Sequence, residues 1–494
     1  MIHIDLYRKN WITQGAVSTI GWAEWMGKSY AGEAFNQLIL SCIRQKEYTL
    51  SQLASGLSGH YAIVILSKTS AFLISDHLRS YPLLYLKEGG DIYITDNLLA
   101  SFEKYDLNPL VDIRKAEVFL TAGLTLEDST LYKDVYTLQA AEIVRINDQE
   151  TEKKRYYTYS SAVDPKREGS ELLTRSFRRT LDSAPKVRNW VVPLSGGDNS
   201  RIMLQQMYEL GVQNLICYSY GIPGSKQSRQ SQEMADALGY PCHFVEYTPE
   251  KWQELRESPD YDRYFDFAFN GVSTPYAQEL LAVAELKKQG VLQSGDIFLS
   301  GSIFETYPFD GMGKLRSKQD VCTYLSPCFD QWEYTKRSPV VFEELSAMIA
   351  RFQQSARFFP DYFYWQERQA KLLQNSVRIY EYFGFDWRAP LWDKELLEYG
   401  QLTPSNKEKQ KAKSTALPES WRRKLTYRGR KAPASDDVLS LLYAAGSPRF
   451  PERMPYDQLP NSLRRYLKPY VGRSLHWLPE NDNNTLYALR NVRF

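Results

Sequence analysis

The chain predicts two architectures in series: a layered, antiparallel α+β half, then an α/β half built on a parallel sheet with helices. Three observations carry this. Between residues 57 and 100, four short β-rich runs are separated by turn residues. From about residue 170, strands alternate with amphipathic helices. Within that second pattern, Trp190-Val-Val-Pro-Leu-Ser-Gly-Gly-Asp-Asn-Ser-Arg201 reads as a buried strand turning through two glycines into a helix.

With 494 residues the chain has room for two or three domains. Apolar residues at 43 % and charged residues at 24 % describe a packed globular protein. A net charge of +2 gives no reason to expect nucleic acid as a partner. The 35 tyrosines read as aromatic-rich cores and surfaces. Cys42, Cys217, Cys242, Cys322 and Cys328 are scattered, odd in number and without a Cys-x-x-Cys pair, which argues against a zinc site or a disulfide framework. The start is too charged for a signal peptide, and no apolar run reaches the ~18 residues of a membrane span, so a cytoplasmic protein is expected.

In the first half, Tyr61–Leu66, Ala71–Ser75, Leu83–Leu86 and Ile92–Thr95 are the expected strands. The polar stretch from Ser160 to Gly169, with Pro165, is the expected linker. Boundaries follow at 1–160, 165–440 and 441–494. In the second half, Glu171–Leu181 reads as a helix. After the Gly-Gly turn a helix runs on to a stop at Gly211. Leu215–Ser219 is a strand, Gln232–Leu238 a helix ending at Gly239, and His243–Glu246 a third strand. Ser273 or Thr274 with Pro275 makes a helix start.

A strand that turns through glycines into a helix aims free backbone N–H groups and the positive end of the helix dipole at one point, where an anion can approach closely. The string Leu194-Ser195-Gly196-Gly197-x-x-Ser200-Arg201 resembles the pyrophosphate-binding (PP) loop of N-type ATP pyrophosphatases. It fits neither Walker A nor Gly-x-Gly-x-x-Gly. Where that family has aspartate this chain has Asn199, and the acid stands one residue earlier at Asp198.

Upstream, Gly59-His-Tyr-Ala62, Asp76-His-Leu-Arg-Ser-Tyr-Pro-Leu-Leu-Tyr85 and Thr95-Asp96 are similar to the glutaminase-type N-terminal domain of asparagine synthetases, an Ntn-hydrolase fold. Its chemistry needs a cysteine directly after the initiator Met, to attack glutamine with a free α-amine as base. Ile2 stands there instead, and the family's Asn-Gly-Glu string is missing. A structural remnant without glutaminase activity is therefore expected.

Further segments follow in the order of the asparagine synthetase family. Tyr218–Ser225 resembles its adenine-binding segment, implying a backbone contact from Tyr220. Val272-Ser-Thr-Pro-Tyr276 resembles the border of the acceptor carboxylate pocket. Gly295–Glu305 resembles Leu-Ser-Gly-Glu-Gly-x-Asp-Glu: Ser300 and Gly301 match the nucleotide-binding pair, Glu305 the metal-binding aspartate, and Ser302 replaces an acid. Phe385–Asp393 resembles Glu-x-Arg-x-Pro-Phe-Leu-Asp, with Asp386 on the acceptor-site acid and Arg388 and Asp393 as structural hydrogen-bonders. Leu417–Pro433 resembles the stretch holding the catalytic lysine, here Lys431 with Lys424 in reserve.

The resemblance implies ATP and Mg²⁺ as cofactors. Leu194, Ser195, Gly196, Gly197, Asn199, Ser200, Tyr220, Ser300 and Gly301 would hold the nucleotide, with Asp198 and Glu305 on the metal. It implies a carboxylate activated as an acyl-adenylate, with release of pyrophosphate, then attack by an amine to give an amide and AMP. The acid would be a small molecule or a sugar carboxylate, and nitrogen would come from ammonia, an amine substrate or a separate donor protein. A homodimer is compatible with this. The alternative is an inactive nucleotide-binding scaffold, which Asn199 and Ser302 favour.

Overall fold

The computed structural model describes residues 1–159, 169–194, 198–221, 223–301, 317, 339–353 and 358–401. In the first half the strands are β1 (Ile2–Asp5), β2 (Ile12–Gln14), β3 (Val17–Trp25), β4 (Lys28–Ala31), β5 (Ser58–Leu66), β6 (Ala71–Ser75), β7 (Leu84–Glu88), β8 (Asp91–Thr95), β9 (Val135–Thr137), β10 (Glu142–Ile146) and β11 (Thr151–Arg155). The helices are α1 (Gly32–Gln45), α2 (Leu50–Gly56), α3 (Leu98–Tyr105) and α4 (Ile113–Ala122). The strands form a sheet in the order β11-β10-β6-β5-β3-β2, with β4 also on β3, and a second sheet β1-β8-β7-β9. All pairings are antiparallel except β1 with β8.

Period-two alternation stacks these sheets. On β5, Ala62 and Val64 turn toward Leu73, Tyr85 and Ile94, between the sheets. Tyr61, Ile63 and Ile65 turn the other way, onto Phe35 and Ile39 of α1 and Leu53 of α2. On β7, Leu84 and Leu86 face Leu98 of α3 and Phe119 of α4. The result is four layers: helices, sheet, sheet, helices. Each apolar side chain fully buried this way contributes about 1.5–3 kcal/mol.

The second half holds α5 (Gly169–Asp182), β12 (Trp190–Pro193), α6 (Asp198–Glu209), β13 (Leu215–Gly221), α7 (Lys226–Leu238), β14 (Cys242–Glu246), α8 (Pro249–Glu257), α9 (Pro259–Ala268), α10 (Leu280–Lys288), β15 (Ile297–Leu299) and β16 (Asp386–Arg388). The sheet is wholly parallel, in the order β14-β13-β12-β15-β16. Trp190, Val192, Leu194, Ile297 and Leu299 pack against Met203 and Met207 of α6, Met234 of α7 and Phe177 of α5. Val191, Tyr218 and Phe298 face the other way, with Leu281 of α10 and Trp252 of α8. Gly239 closes α7 in the left-handed conformation, φ 75°, as its place in the sequence predicts.

One expectation fails. No helix starts at Ser273-Thr-Pro: α10 begins at Leu280 without a side-chain cap. Ser273 instead bridges to Leu124, and its Oγ donates to the Lys371 carbonyl at 3.0 Å. A long-range pairing outbids the local capping preference. The expected linker, 160–168, lies outside the described residues.

A seam of polar bonds joins the halves. Trp365 Nε1 donates to His77 O (2.7 Å), Gln366 Nε2 to Ala140 O (3.1 Å), and Lys371 Nζ to Thr125 O (2.9 Å). Residues Tyr364–Leu373 wind as a π-helix, a rare geometry, and its Lys371 pairs with Glu367 entirely out of water. Arg8 bridges to Asp96 and Glu381.

Candidate functional site

In the parallel sheet β12 is joined on one side to β13 and on the other to β15. The strand order therefore reverses between β12 and β15, and open α/β sheets take ligands at the carboxyl edge of that point. Leaving β12, the chain is anchored on both sides. Leu194 N donates to Tyr218 O at 2.8 Å, and Leu194 O accepts from the buried Ser231 hydroxyl at 2.9 Å. Four residues later α6 opens with Asp198, its amino terminus and dipole at this same edge. Its first turn carries the half-buried Asn199 and the buried Ser200.

From the other side of the switch point β15 delivers Ser300, whose N–H donates to Arg388 O at 2.7 Å. Gly301 follows, close enough to α6 that a Cβ there would lie 3.5 Å from Met203 Cε. Leu194, Asn199, Ser200, Ser300 and Gly301 thus gather at one edge although 107 positions separate the first from the last. Tyr220 reaches the same edge on β13. Its ring stacks on Tyr247, 5.0 Å between centroids and 19° apart, and burial holds its phenol well above the ordinary range. What Tyr220 can offer a ligand at this edge is main chain, not its ring face.

Ser195, Gly196, Gly197, Glu305 and Lys431, like the reserve Lys424, lie outside the described residues, as does the Asp198 side chain. Asp386 is described and stands apart. It begins β16 opposite Ile297, the first residue of β15, so it lies at the amino edge of the sheet, about 10 Å of strand from Ser300. Its carboxylate accepts from Asn10 Nδ2 of the other half. Arg388 and Asp393 hold structure: Arg388 Nε donates to Ser183 Oγ (2.8 Å), and Asp393 takes Arg179 (2.7 Å) and the N–H of Glu395 (2.9 Å). Among the described residues no three His, Cys, Asp or Glu side chains converge as a metal site.

Sequence reasoning missed Glu279. Beneath the sheet it accepts hydrogen bonds from Tyr380 Oη at 2.7 Å and Tyr218 Oη at 3.2 Å, and desolvation raises its carboxyl pKa. Nothing local marks it, since both tyrosines arrive from distant elements. In the layered half the thiol of Cys42 is buried in α1 and pushed up by desolvation, and Ile2 pairs with Ile92 in the sheet. Cys217 is buried on β13, and Cys242 is pushed up to about 11. All three thiols stay protonated near neutral pH.

Residues 32–157 match the family model of a glutamine amidotransferase domain. No curated protein matches the chain. Among solved structures, it is similar to the NH3-dependent NAD synthetase of Campylobacter jejuni at 10 % identity, covering 38 % of this chain and 96 % of that one with a TM-score of 0.23. It is similar to the glutamine-dependent NAD+ synthetase of Acinetobacter baumannii at 12 % identity, covering 82 % and 88 % with a TM-score of 0.22. A third is the glutamine PRPP amidotransferase of B. subtilis, at 14 % identity, 59 % and 56 % coverage and a TM-score of 0.20. No helix among the described residues is long and apolar enough to cross a membrane.

Proposed function

We propose that the chain is an ATP-dependent amide-forming ligase of the asparagine synthetase type, whose Ntn-like N-terminal domain no longer hydrolyses glutamine. The observation that carries this reading is the meeting of Leu194, the start of α6, Ser300 and Gly301 at the topological switch point. A helix amino terminus there suits the phosphates of a nucleotide.

In this reading a carboxylate oxygen attacks the α-phosphorus of ATP. The bond to the β-phosphate oxygen breaks, pyrophosphate leaves, and an acyl-adenylate remains. An amine nitrogen then attacks the acyl carbon, AMP departs, and an amide forms. The loop amides after Leu194 hold charge on the departing phosphates, and Lys431 supplies a cation for the transition state. Asp198 opens α6 at the switch point, and carboxylate oxygen is the donor type that Mg²⁺ takes; with Glu305 it would hold the ion, which neutralises pyrophosphate as it leaves. Asp386 would serve the acceptor only from the seam side, where Asn10 now bonds it.

The test is carboxylate-dependent release of pyrophosphate from ATP with Mg²⁺, over a panel of small and sugar acids with ammonia or amines. Release supports the ligase. ATP binding without release for any acid favours the scaffold reading, to which Asn199 and Ser302 lend weight because each stands where an acid is usual. Ammonia production from glutamine alone would refute the inactive N-terminal half.

A further inference from the structure

A small, partly open cavity lies on the seam, apart from the proposed nucleotide edge. Its volume is about 10 Å³, and its walls include Arg79 and Pro82 from the first half and Asn270, Gln374, Asn375 and Arg378 from the second. That volume admits one water-sized sphere. Most polar groups of the wall are bonded, Lys371, Asn375 and Arg378 among them; the buried polar atoms without a partner belong to Gln374. Gln374 is 2 % exposed, and neither its Nε2 nor its Oε1 has a partner. Arg79 gives Nε and Nη2 to Thr137 Oγ1 and Leu138 O, and its Nη1, without a hydrogen bond among the described residues, is not among the fully buried orphan atoms and so stays within reach of solvent. Asn270 accepts from Leu98 N through Oδ1, so its amide NH₂ is the end left over.

Charge around the cavity does not balance. Four buried cations, Arg8, Arg79, Lys371 and Arg378, share this part of the seam. Three carboxylates answer them: Asp96 and Glu381 on Arg8, Glu381 again on Arg378, and Glu367 on Lys371. Arg79, 5 % exposed, makes no ion pair among the described residues. Its neighbour in sequence, Asp76, turns its oxygens to the N–H groups of Tyr61, Leu78 and Ser80. A guanidinium does not shed its proton at physiological pH, and an isolated buried cation is among the costliest groups a fold can hold. Burial, with Arg378 and Arg8 nearby, already pushes Arg79 down to about 9. Its backbone is also left-handed, φ 55°, a conformation that a non-glycine residue keeps only when its surroundings hold it.

We infer that this cavity binds a single monatomic anion, chloride, held by Arg79 Nη1 with the amides of Asn270 and Gln374, and that the ion fastens the two halves together. Water would satisfy the amides but leave the charge of Arg79 unanswered. The site is separate from the proposed nucleotide edge and does not depend on the ligase reading.

The experiment uses the full chain. Thermal unfolding is followed in sodium chloride against sodium gluconate at fixed ionic strength, and crystals grown in bromide are measured at the bromine absorption edge. The expected result is a saturable rise of about 3–5 °C in Tm with chloride, of the size linkage gives when the ion is far above its Kd. An anomalous bromide peak should touch Arg79 Nη1. Arg79→Gln removes the chloride response. Gln374→Glu places a carboxylate where the ion sits, so it should match in gluconate the wild-type Tm in chloride and stop responding to the salt. This second variant decides the matter if Arg79→Gln fails to fold. Equal Tm values in the two salts, a bromide-free cavity holding water or a carboxylate of this chain, or a Gln374→Glu protein still sensitive to chloride would each overturn the inference.

Discussion

The two halves treat their buried polar groups in opposite ways. In the layered half they are shut in. Asp76 at the hairpin has its oxygens taken by three backbone N–H groups, and the imidazoles of His60 and His77 are 3 % and 4 % exposed inside aromatic packing. In the parallel half the amino edge of the sheet is closed in the same manner. Asp296, fully buried, takes Arg188 (2.6 Å), Asn189 (3.3 Å) and the N–H of Gln293 (2.8 Å). The carboxyl edge differs, because there β12 and β15 end side by side and α6 opens with its amino terminus toward them.

Acid gives the largest expected effect, and it falls on the closed half. His60 and His77 are each pushed down from 6.5 to about 3, chiefly by desolvation. The unfolded chain therefore binds protons below pH 6.5 that the folded one refuses, so stability present above that pH is lost progressively as pH falls toward 3. The loss is on the order of 4–5 kcal/mol for each imidazole. Denaturant unfolding between pH 7 and pH 4 checks this, and His77→Phe should remove about half the slope.

Next comes the open edge. Gly197→Val should cut carboxylate-dependent pyrophosphate release by about 100-fold or more, since a side chain denies the phosphates their approach, while Tm stays within about 2 °C. A parallel fall of Tm and activity would mean that the turn is structural, like the amino edge.

A third variant attacks that amino edge. Asp296→Ala should cost about 2 kcal/mol, because two amide donors lose their acceptor while the 38 % exposed Arg188 recovers water. Urea unfolding reads it, and ATP affinity should not move. The smallest effect is expected of Asp386→Asn. Its place at the amino edge, beside Asn10, predicts a change in kcat/KM for the amine of under about threefold. A loss of about 30-fold or more with ATP binding intact would instead place the acceptor across the seam.

Much of the fold is legible because it rests on local rules. Alternation along Tyr61–Leu66 and Ala71–Ser75, and the glycine stop at 239, are strand and helix signals that packing reinforces. The carboxyl-edge cluster is legible in part, since strand, glycines and helix follow one another in sequence. The rest depends on distant partners. Ser273 reads as a helix cap until Leu124 pairs with it, the end of the sheet at which Asp386 stands is set by its pairing with β15, and Glu279 gains meaning only from Tyr218 and Tyr380. No window of sequence reveals the unanswered charge of Arg79, because its neighbours come from both halves.

The seam also sets a timetable for birth on the ribosome. The carbonyls of Ser55, His77, Thr125 and Ala140 await donors at Lys394, Trp365, Lys371 and Gln366. Between the end of β11 at Arg155 and Lys394, 239 residues must be translated, roughly 10–50 s at ~5–20 residues per second. For that interval the nascent first half carries an unfinished wall.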